Sequence, residues 1–139
     1  MWKEQSCRGL AVASDMILAV PQKQLLVLDL NGVLIDKDSW TPRPHLDAFL
    51  EFVFAYFDVM VWSSGIPQNV AKMLDELFGT YQTQLVKTWT RDNFRLIPEQ
   101  YISKCIIVKD LSKVWADCNG HYSAHNTILV DNTEEKAQK

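Results

Sequence analysis

Residues 25–36 read LLVLDLNGVLID, and both the fold and a site can be predicted outward from this stretch. Four apolar residues lead directly into Asp29, as in a strand that is buried on both faces of a parallel sheet. Asn31 and Gly32 then supply turn chemistry. Because open α/β sheets bind ligands at the carboxyl ends of their strands, a carboxylate at this point predicts a ligand or reaction site around Asp29.

Downstream of this stretch, strand-like apolar runs alternate with apolar residues at helical spacing. The predicted strands are 25–29, 59–62, 85–89 and 127–130, and the predicted helices are 44–57, 66–78 and 111–115. Gly79 is predicted to end the second helix as a left-handed cap. Strands that alternate with helices indicate an α/β fold with a parallel sheet. We expect one domain over residues 25–139, preceded by a weakly patterned lead-in, residues 1–24.

The composition is that of an ordinary globular domain, with 139 residues, 47% hydrophobic and 22% charged. A net charge of −3 provides no broad surface for polyanions, so nucleic acid is not expected as a ligand. Three widely spaced cysteines without a C-x-x-C pair favour reduced thiols in an intracellular protein. No membrane span is expected, because Glu51 and Asp58 interrupt the longest apolar region, and the N-terminus lacks a signal-peptide pattern.

Four polar residues follow the predicted strands or open the last helix, and together they suit phosphoryl transfer. Asp29 could attack phosphorus to form an acyl phosphate, and Asp29 with Asp131 could hold Mg²⁺. Ser63 could donate a hydrogen bond to a phosphate oxygen, and Lys109 could neutralise its charge. Each residue alone also fits a plain structural role, as a helix cap, a turn residue or a solvated surface lysine.

Five motifs in this order resemble the haloacid-dehalogenase superfamily, in its branch of small C-terminal-domain phosphatases, or NLI-interacting-factor-like (FCP1 homology) domains. The motifs are LVLDLNGVL (26–34), RPHLDAFL (43–50), VMVWSSG (59–65), VKDLSKVW (108–115) and ILVDNT (128–133). The run WTRDNF, with YISK before the lysine motif, is most similar to fungal members. The resemblance implies a Rossmann-like parallel sheet without a large cap domain. It also implies that the chain lacks a C-terminal strand and helix, since relatives continue past the last acid.

By this resemblance, Asp29 is the nucleophile and also a ligand of Mg²⁺. Ser63 takes the position of the hydroxyl that contacts phosphate, with Ser64 as the alternative. Lys109 is the cation that contacts the phosphate and the nucleophile. The implied substrates are phosphoserine or phosphothreonine on proteins.

The implied metal site also includes Asn31, Asp131 and Asn132. Asp131 is the metal-binding acid, and Asn132 lies nearby in a role towards a metal-bound water. The family usually has a second aspartate where this chain has Asn31, and that aspartate is the general acid and base. Asparagine cannot take this part, but its backbone carbonyl remains available to Mg²⁺. The resemblance therefore predicts a site that binds Mg²⁺ and phosphate and turns over slowly, unless Asp36 or Asp38 substitutes.

Two other functions remain open on the sequence. The first is a phosphatase-like binding module with little activity, similar to the mitochondrial inner-membrane protein import receptor. The second is a zinc site at Cys118, His121 and His125, whose spacing suits a metal but lacks an obvious fourth ligand. A nuclear or cytoplasmic location is expected, with the mitochondrion as the alternative. The sequence leaves the oligomeric state and the identity of the substrate open.

Overall fold

The computed structural model describes residues 22–103 and 107–137, and a four-stranded sheet lies at its centre. The strands are β1 (Gln24–Leu28), β2 (Phe57–Trp62), β3 (Lys87–Trp89) and β4 (Thr127–Val130). Their order across the sheet is β3-β2-β1-β4, and every pairing is parallel. The predicted α/β fold with a parallel, Rossmann-like sheet is therefore confirmed.

The helices lie between the strands, as a parallel sheet requires. They are α1 (Leu46–Tyr56), α2 (Pro67–Leu77), α3 (Pro98–Ile102) and α4 (Leu111–Asp117). Three short 3₁₀ helices, Gly79–Gln84, Arg91–Phe94 and Glu134–Ala137, complete the described structure. None of the described helices is long and apolar enough to cross a membrane.

The sheet is buried on both faces, which explains why its strands are continuous apolar runs. One face packs against α1 and α2 through a core that includes Leu28, Val61 and Leu74. The opposite face packs against α4 and the residues around Phe94. Alternation along β1 directs Leu26 and Leu28 to the first core, and Leu25 and Val27 to the second.

The central position of β1 determines where a site can form. From β1 the chain passes to β2 on one side, whereas β4 joins β1 on the other side. The strand order therefore reverses next to β1, and ligands of open α/β sheets bind outside the carboxyl ends of the strands at such a point. Asp29 directly follows β1, and Asp131 directly follows β4, so both acids lie at this reversal.

Most predicted elements are present, but several boundaries were wrong for local reasons. Helix α1 begins at Leu46 rather than at residue 44, because His45 adopts a φ of 65° in the left-handed region. Strand β2 begins at Phe57, which is already extended and pairs with Gln24. Strand β3 is shorter than predicted, because Leu85 caps the 3₁₀ helix before it, donating its N–H to the Gln82 carbonyl, and pairing with β2 begins only at Lys87. Gly79, at a φ of 53°, takes the predicted left-handed conformation after α2.

The predicted lead-in, residues 1–24, lies almost entirely outside the described residues, as does Cys105. Between β1 and α1 the chain forms only a short flap in which Ile35 pairs with Pro42. Within residues 22–103, therefore, no cap domain is inserted after β1. The flap is fixed to the turn at Gly32 through the Arg43 guanidinium, which donates to the Gly32 carbonyl at 2.9 Å.

Candidate active site

Three of the predicted site residues meet at the carboxyl ends of β1 and β4. The Lys109 ammonium lies 2.6 Å from Asp131 Oδ2 and 3.4 Å from Asp29 Oδ1. Asp29 is 2% exposed and Lys109 is 1% exposed, so the ion pairs are screened little by water. The sequence brings them together because each acid directly follows a strand, and Lys109 precedes the helix α4 that covers that face of the sheet.

Burial raises the pKa of the Asp29 carboxyl above its ordinary value. The Lys109 ammonium opposes this shift, and the neighbouring Asp131 carboxylate adds to it. The shift follows from charge and burial, since a desolvated carboxylate beside a second one is costly unless a cation lies between them. The pKa of Asp29 therefore reflects a balance between burial, which raises it, and the Lys109 ammonium, which lowers it and which also pairs with Asp131.

The turn after β1 brings Asn31 and Asn132 to the same place. Gly32 adopts a φ of 83°, and a Cβ added there would overlap the side-chain amide of Asn132. The Asn31 Oδ1 atom is buried and, among the described residues, has no hydrogen-bond donor. At Asp131, the Oδ1 atom accepts the Thr133 backbone N–H at 2.9 Å, which leaves Oδ2 for the Lys109 ammonium. All four residues assigned to the metal site therefore lie on two adjoining turns.

Ser63 directly follows β2 and is 1% exposed. Its backbone N–H donates to the Trp89 carbonyl at 2.9 Å, and its Oγ accepts the Gly65 N–H at 3.1 Å. Leu28, the last residue of β1, pairs with Val61, so β2 extends one residue further, and Ser63 follows β2 at the same edge of the sheet at which Asp29 follows β1. Ser64, the alternative hydroxyl, instead offers its carbonyl to the Arg91 guanidinium at 3.1 Å.

In the flap, the carboxylate of Asp36 stabilises a turn that includes Asp38. Asp36 Oδ1 accepts the backbone N–H groups of Ser39 and Asp38 at 3.0 and 2.9 Å. These bonds lower the pKa of the Asp36 carboxyl, with the one from Ser39 contributing most. A carboxyl that is more acidic than usual is a poor proton donor at neutral pH. The geometry therefore does not favour Asp36 as a substitute for the missing acid at Asn31.

The donor set suits Mg²⁺ better than zinc. Asp29 and Asp131 reach a common cation, the Lys109 ammonium, and both offer the hard oxygens that Mg²⁺ prefers. The unpartnered Asn31 Oδ1 adds a further buried oxygen. Across residues 22–103 and 107–137, no three His, Cys, Asp or Glu side chains are grouped to hold a metal. The alternative zinc cluster at Cys118, His121 and His125 is therefore not formed, whereas Mg²⁺ commonly takes one or two carboxylates together with phosphate and water.

Comparison with known proteins identifies the family. The model of the NLI interacting factor-like phosphatases matches residues 24–139. The chain belongs to this family. An uncharacterized FCP1 homology domain-containing protein of Schizosaccharomyces pombe is 35% identical, over 98% of this chain and 65% of its own length. The resemblance to FCP1 homology domains, with a fungal protein among the relatives, is thus confirmed.

Relatives of this NLI interacting factor-like phosphatase domain also include named C-terminal-domain phosphatases. The ubiquitin-like domain-containing CTD phosphatase 1 of Danio rerio is 29% identical, over 80% of this chain and 37% of its own length. The ubiquitin-like domain-containing CTD phosphatase of Arabidopsis thaliana is 31% identical, over 78% of this chain and 34% of its own length. The chain therefore spans less than two thirds of each of these relatives. The domain is phosphatase-like in kind.

Sequence reasoning missed the position of Arg91 beside the loop that follows β2. Arg91 lies in the run WTRDNF, which indicated only a similarity to fungal members of the family. The structure places its guanidinium against four backbone carbonyls, including that of Ser64. No sequence periodicity could have indicated these contacts, because they join segments that are nine to 27 residues apart.

Proposed function

We propose that this chain is a Mg²⁺-dependent phosphoprotein phosphatase domain that carries the phosphoryl group on Asp29 during turnover. The observation that supports it is the buried arrangement of Lys109 with Asp29 and Asp131 at the reversal of the strand order. A cation that faces two acids is suited to a site where charge on a phosphoryl group must be neutralised. Mg²⁺ when bound would add positive charge next to the phosphate.

The reaction follows from what each side chain can do. An Asp29 carboxylate oxygen attacks phosphorus, and the bond from phosphorus to the substrate oxygen breaks. The Lys109 ammonium neutralises charge on the phosphoryl oxygens, and the Ser63 hydroxyl donates a hydrogen bond to one of them. A water molecule then attacks the phosphorus of the aspartyl phosphate, which releases inorganic phosphate and restores the Asp29 carboxylate.

The side chain of Asn31 limits the rate of both steps in this proposal. The leaving oxygen needs a proton, and the attacking water must lose one. An amide neither gives nor takes a proton at neutral pH, so both transfers are left to solvent. Loss of positioned acid–base catalysis typically costs about 10²–10⁴ in rate. Slow turnover is therefore part of the proposal.

The proposed substrates are phosphoserine or phosphothreonine residues in protein segments. Two features support this class. Relatives are named CTD phosphatases, and within residues 22–103 the flap after β1 is short rather than a folded cap. A short flap leaves space for a polypeptide on both sides of the phosphorylated residue.

A second candidate function is specifically favoured by Asn31. If water cannot be activated at all, the same oxygen and ammonium groups would bind a phosphorylated partner without releasing phosphate. The chain would then act as a phosphate-dependent binding module. The two functions differ in one measurable quantity, the amount of phosphate released per chain.

Phosphate release distinguishes the two functions. The 139-residue chain and its Asp29→Asn variant would be incubated with a phosphoserine peptide and with a small aryl phosphate, with Mg²⁺ or with EDTA. We expect slow release that needs Mg²⁺ and is abolished in Asp29→Asn. Tight binding of the peptide without release supports the binding module. Release that persists in Asp29→Asn excludes Asp29 as the nucleophile.

A further inference from the structure

The Arg91 side chain is bound almost entirely by backbone carbonyls. Its Nε donates to the Tyr101 carbonyl at 2.6 Å and its Nη1 to that of Ser64 at 3.1 Å. Its Nη2 donates to the carbonyls of Gln100 and Ser103, each at 2.9 Å. Four bonds use most of the five N–H donors that a guanidinium has. Arg91 thus joins the segment around α3 to the loop that carries Ser63.

The carbonyl of Ser64 belongs to the same peptide group as the N–H of Gly65. A trans peptide is planar, so its C=O and N–H point in opposite directions. Arg91 binds the carbonyl side of this group, and on the other side the Gly65 N–H donates to Ser63 Oγ at 3.1 Å. The orientation of this one peptide plane is therefore fixed from both sides.

A second bond from Arg91 holds the next peptide group. The Arg91 backbone N–H donates to the Gly65 carbonyl at 2.9 Å. Gly65 itself has little space around it, because an added Cβ would lie 3.3 Å from both Ser63 Oγ and Val70 Cγ2. The loop after β2 is thus held by Arg91 through two consecutive carbonyls, at the position where it supports the Ser63 hydroxyl.

The bond from Gly65 decides which way the Ser63 hydroxyl can act. A hydroxyl has one donor hydrogen and two acceptor lone pairs. The Gly65 N–H occupies one lone pair, and this biases the single hydrogen towards an acceptor elsewhere. Hydrogen bonds in a chain also polarise one another, so a cationic donor at the Ser64 carbonyl makes the Gly65 N–H a stronger donor.

We propose that Arg91 is a positioning residue which, through the Ser64–Gly65 peptide group, sets the Ser63 hydroxyl as a donor to the phosphate of the substrate. The inference rests on the proposed function, because it names the residue that prepares one phosphate-binding group of that same site. Arg91 acts through Ser63 and does not itself contact phosphate. A positive charge alone is not sufficient for this positioning, because only the planar fork of the guanidinium reaches several carbonyls at once.

A double-mutant cycle tests whether Arg91 acts through Ser63. The variants are Arg91→Lys, Ser63→Ala and the two together, with Arg95→Lys as the control, an exposed arginine in the same segment. The measured quantity is the dissociation constant of inorganic phosphate in buffer with Mg²⁺, from NMR titration. We expect Arg91→Lys to weaken phosphate binding about tenfold in the native background, which is the effect typical of losing one hydrogen bond to a charged group. In the Ser63→Ala background the same substitution should weaken binding less than twofold. An equal loss in both backgrounds overturns the inference.

Hydrogen exchange at the Gly65 amide provides a readout that does not need phosphate. Arg91→Lys should speed this exchange about tenfold or more, because the peptide group loses one of its two restraints, whereas Arg95→Lys should leave it unchanged. Unchanged exchange in Arg91→Lys overturns the inference whatever the activity. If the native chain binds no phosphate and exchange still rises, the proposed function has failed, whereas the restraint of the Ser64–Gly65 peptide group by Arg91 stands.

Discussion

The Lys109 ammonium lies 2.6 Å from Asp131 Oδ2, and it also lies 3.4 Å from Asp29 Oδ1. One cation thus faces two carboxylates, all with buried side chains, at the point where the strand order of the sheet reverses. Desolvation of these groups is costly, and the attraction between the ammonium and the two carboxylates offsets that cost only while both acids remain next to it. This arrangement has consequences for stability that can be measured apart from any activity.

Lys109→Met should be strongly destabilising, because it leaves Asp29 and Asp131 close together without a cation. Removing one partner of a buried ion pair typically costs about 3–5 kcal/mol in the free energy of unfolding. A second substitution, Asp131→Asn, should recover part of the loss, since it removes one of the unpaired charges. Urea denaturation followed by circular dichroism at pH 7 would measure both effects.

Lys87 supplies a matched control for this prediction. Its ammonium lies 2.7 Å from Asp117 Oδ2, but the two side chains are 27% and 51% exposed. A solvent-screened pair of this kind is worth about 0–1 kcal/mol, so Lys87→Met should change stability little. Equal losses in Lys87→Met and Lys109→Met would contradict the view that burial makes the Lys109 pairs important.

Asn31→Asp should speed phosphate release if the missing acid limits the reaction. A carboxyl at this position could protonate the leaving oxygen and then accept a proton from water. The gain expected from one positioned acid–base group is about 10²–10⁴ in kcat. Steady-state release of phosphate from an aryl phosphate with Mg²⁺ would measure it.

Two further variants make this prediction specific. At saturating Mg²⁺, Asn31→Ala should remain as slow as the native chain, because neither side chain transfers protons. Asn31→Asp combined with Asp29→Asn should be inactive, since the nucleophile is gone. If Asn31→Asp releases phosphate no faster than Asn31→Ala, proton transfer at this position does not limit the rate.

The sheet and the three central site residues could be predicted because their signals are local in the chain. A buried strand followed by an acid is visible at Asp29 and again at Asp131, and the parallel sheet then requires both acids to meet at one edge. Lys109 was predicted from the motif before α4. Asn31 and Asn132 were assigned to the site by resemblance to the family, and the close approach of Asn132 to Gly32 is a tertiary contact that the sequence does not show.

The remaining features depend on contacts between distant segments or on unusual backbone angles. His45 has a φ of 65° and delays the start of α1, and nothing in its sequence neighbourhood marks a left-handed histidine. Arg91 reads as an ordinary polar residue until the carbonyls of Ser64 and Gln100 are placed around it. Residues whose roles come from the folded backbone are thus the ones that sequence patterns did not reveal.

Gly32→Ala should lower both the free energy of unfolding and the affinity for phosphate. The φ of 83° is strained for alanine, and the added Cβ would overlap the Asn132 amide. Such a backbone conformation typically costs about 1–3 kcal/mol, to which the overlap adds. Gly120→Ala is the matched control, because Gly120 has a φ of 76° and an added Cβ there meets nothing within 4 Å. Equal unfolding free energies for the two variants would show that the contact with Asn132 has no energetic weight.

Asp110→Ala should destabilise the domain at neutral pH and lose that effect in acid. Asp110 caps α4, and its Oδ1 accepts the Ser112 backbone N–H at 3.1 Å and the Ser112 hydroxyl at 2.6 Å. The bond from the hydroxyl contributes most to lowering the pKa of the Asp110 carboxyl below its ordinary value of 3.8. A carboxyl whose pKa is lower in the folded state adds stability above its unfolded pKa, and this stability disappears as the pH falls through the folded pKa.

The free energy of unfolding of Asp110→Ala should therefore be lower than that of the native chain by about 1 kcal/mol at pH 7, as is typical for loss of an N-cap. This difference should shrink as the pH falls below about 4. Asp110→Asn separates the cap from the charge, because asparagine keeps an acceptor oxygen but does not titrate. It should retain most of the stability at pH 7 and show no such decline in acid. Urea denaturation at pH 7, 5 and 3 would measure these differences. A destabilisation by Asp110→Ala that is the same at pH 7 and pH 3 would contradict the assignment of Asp110 as a charged cap of α4.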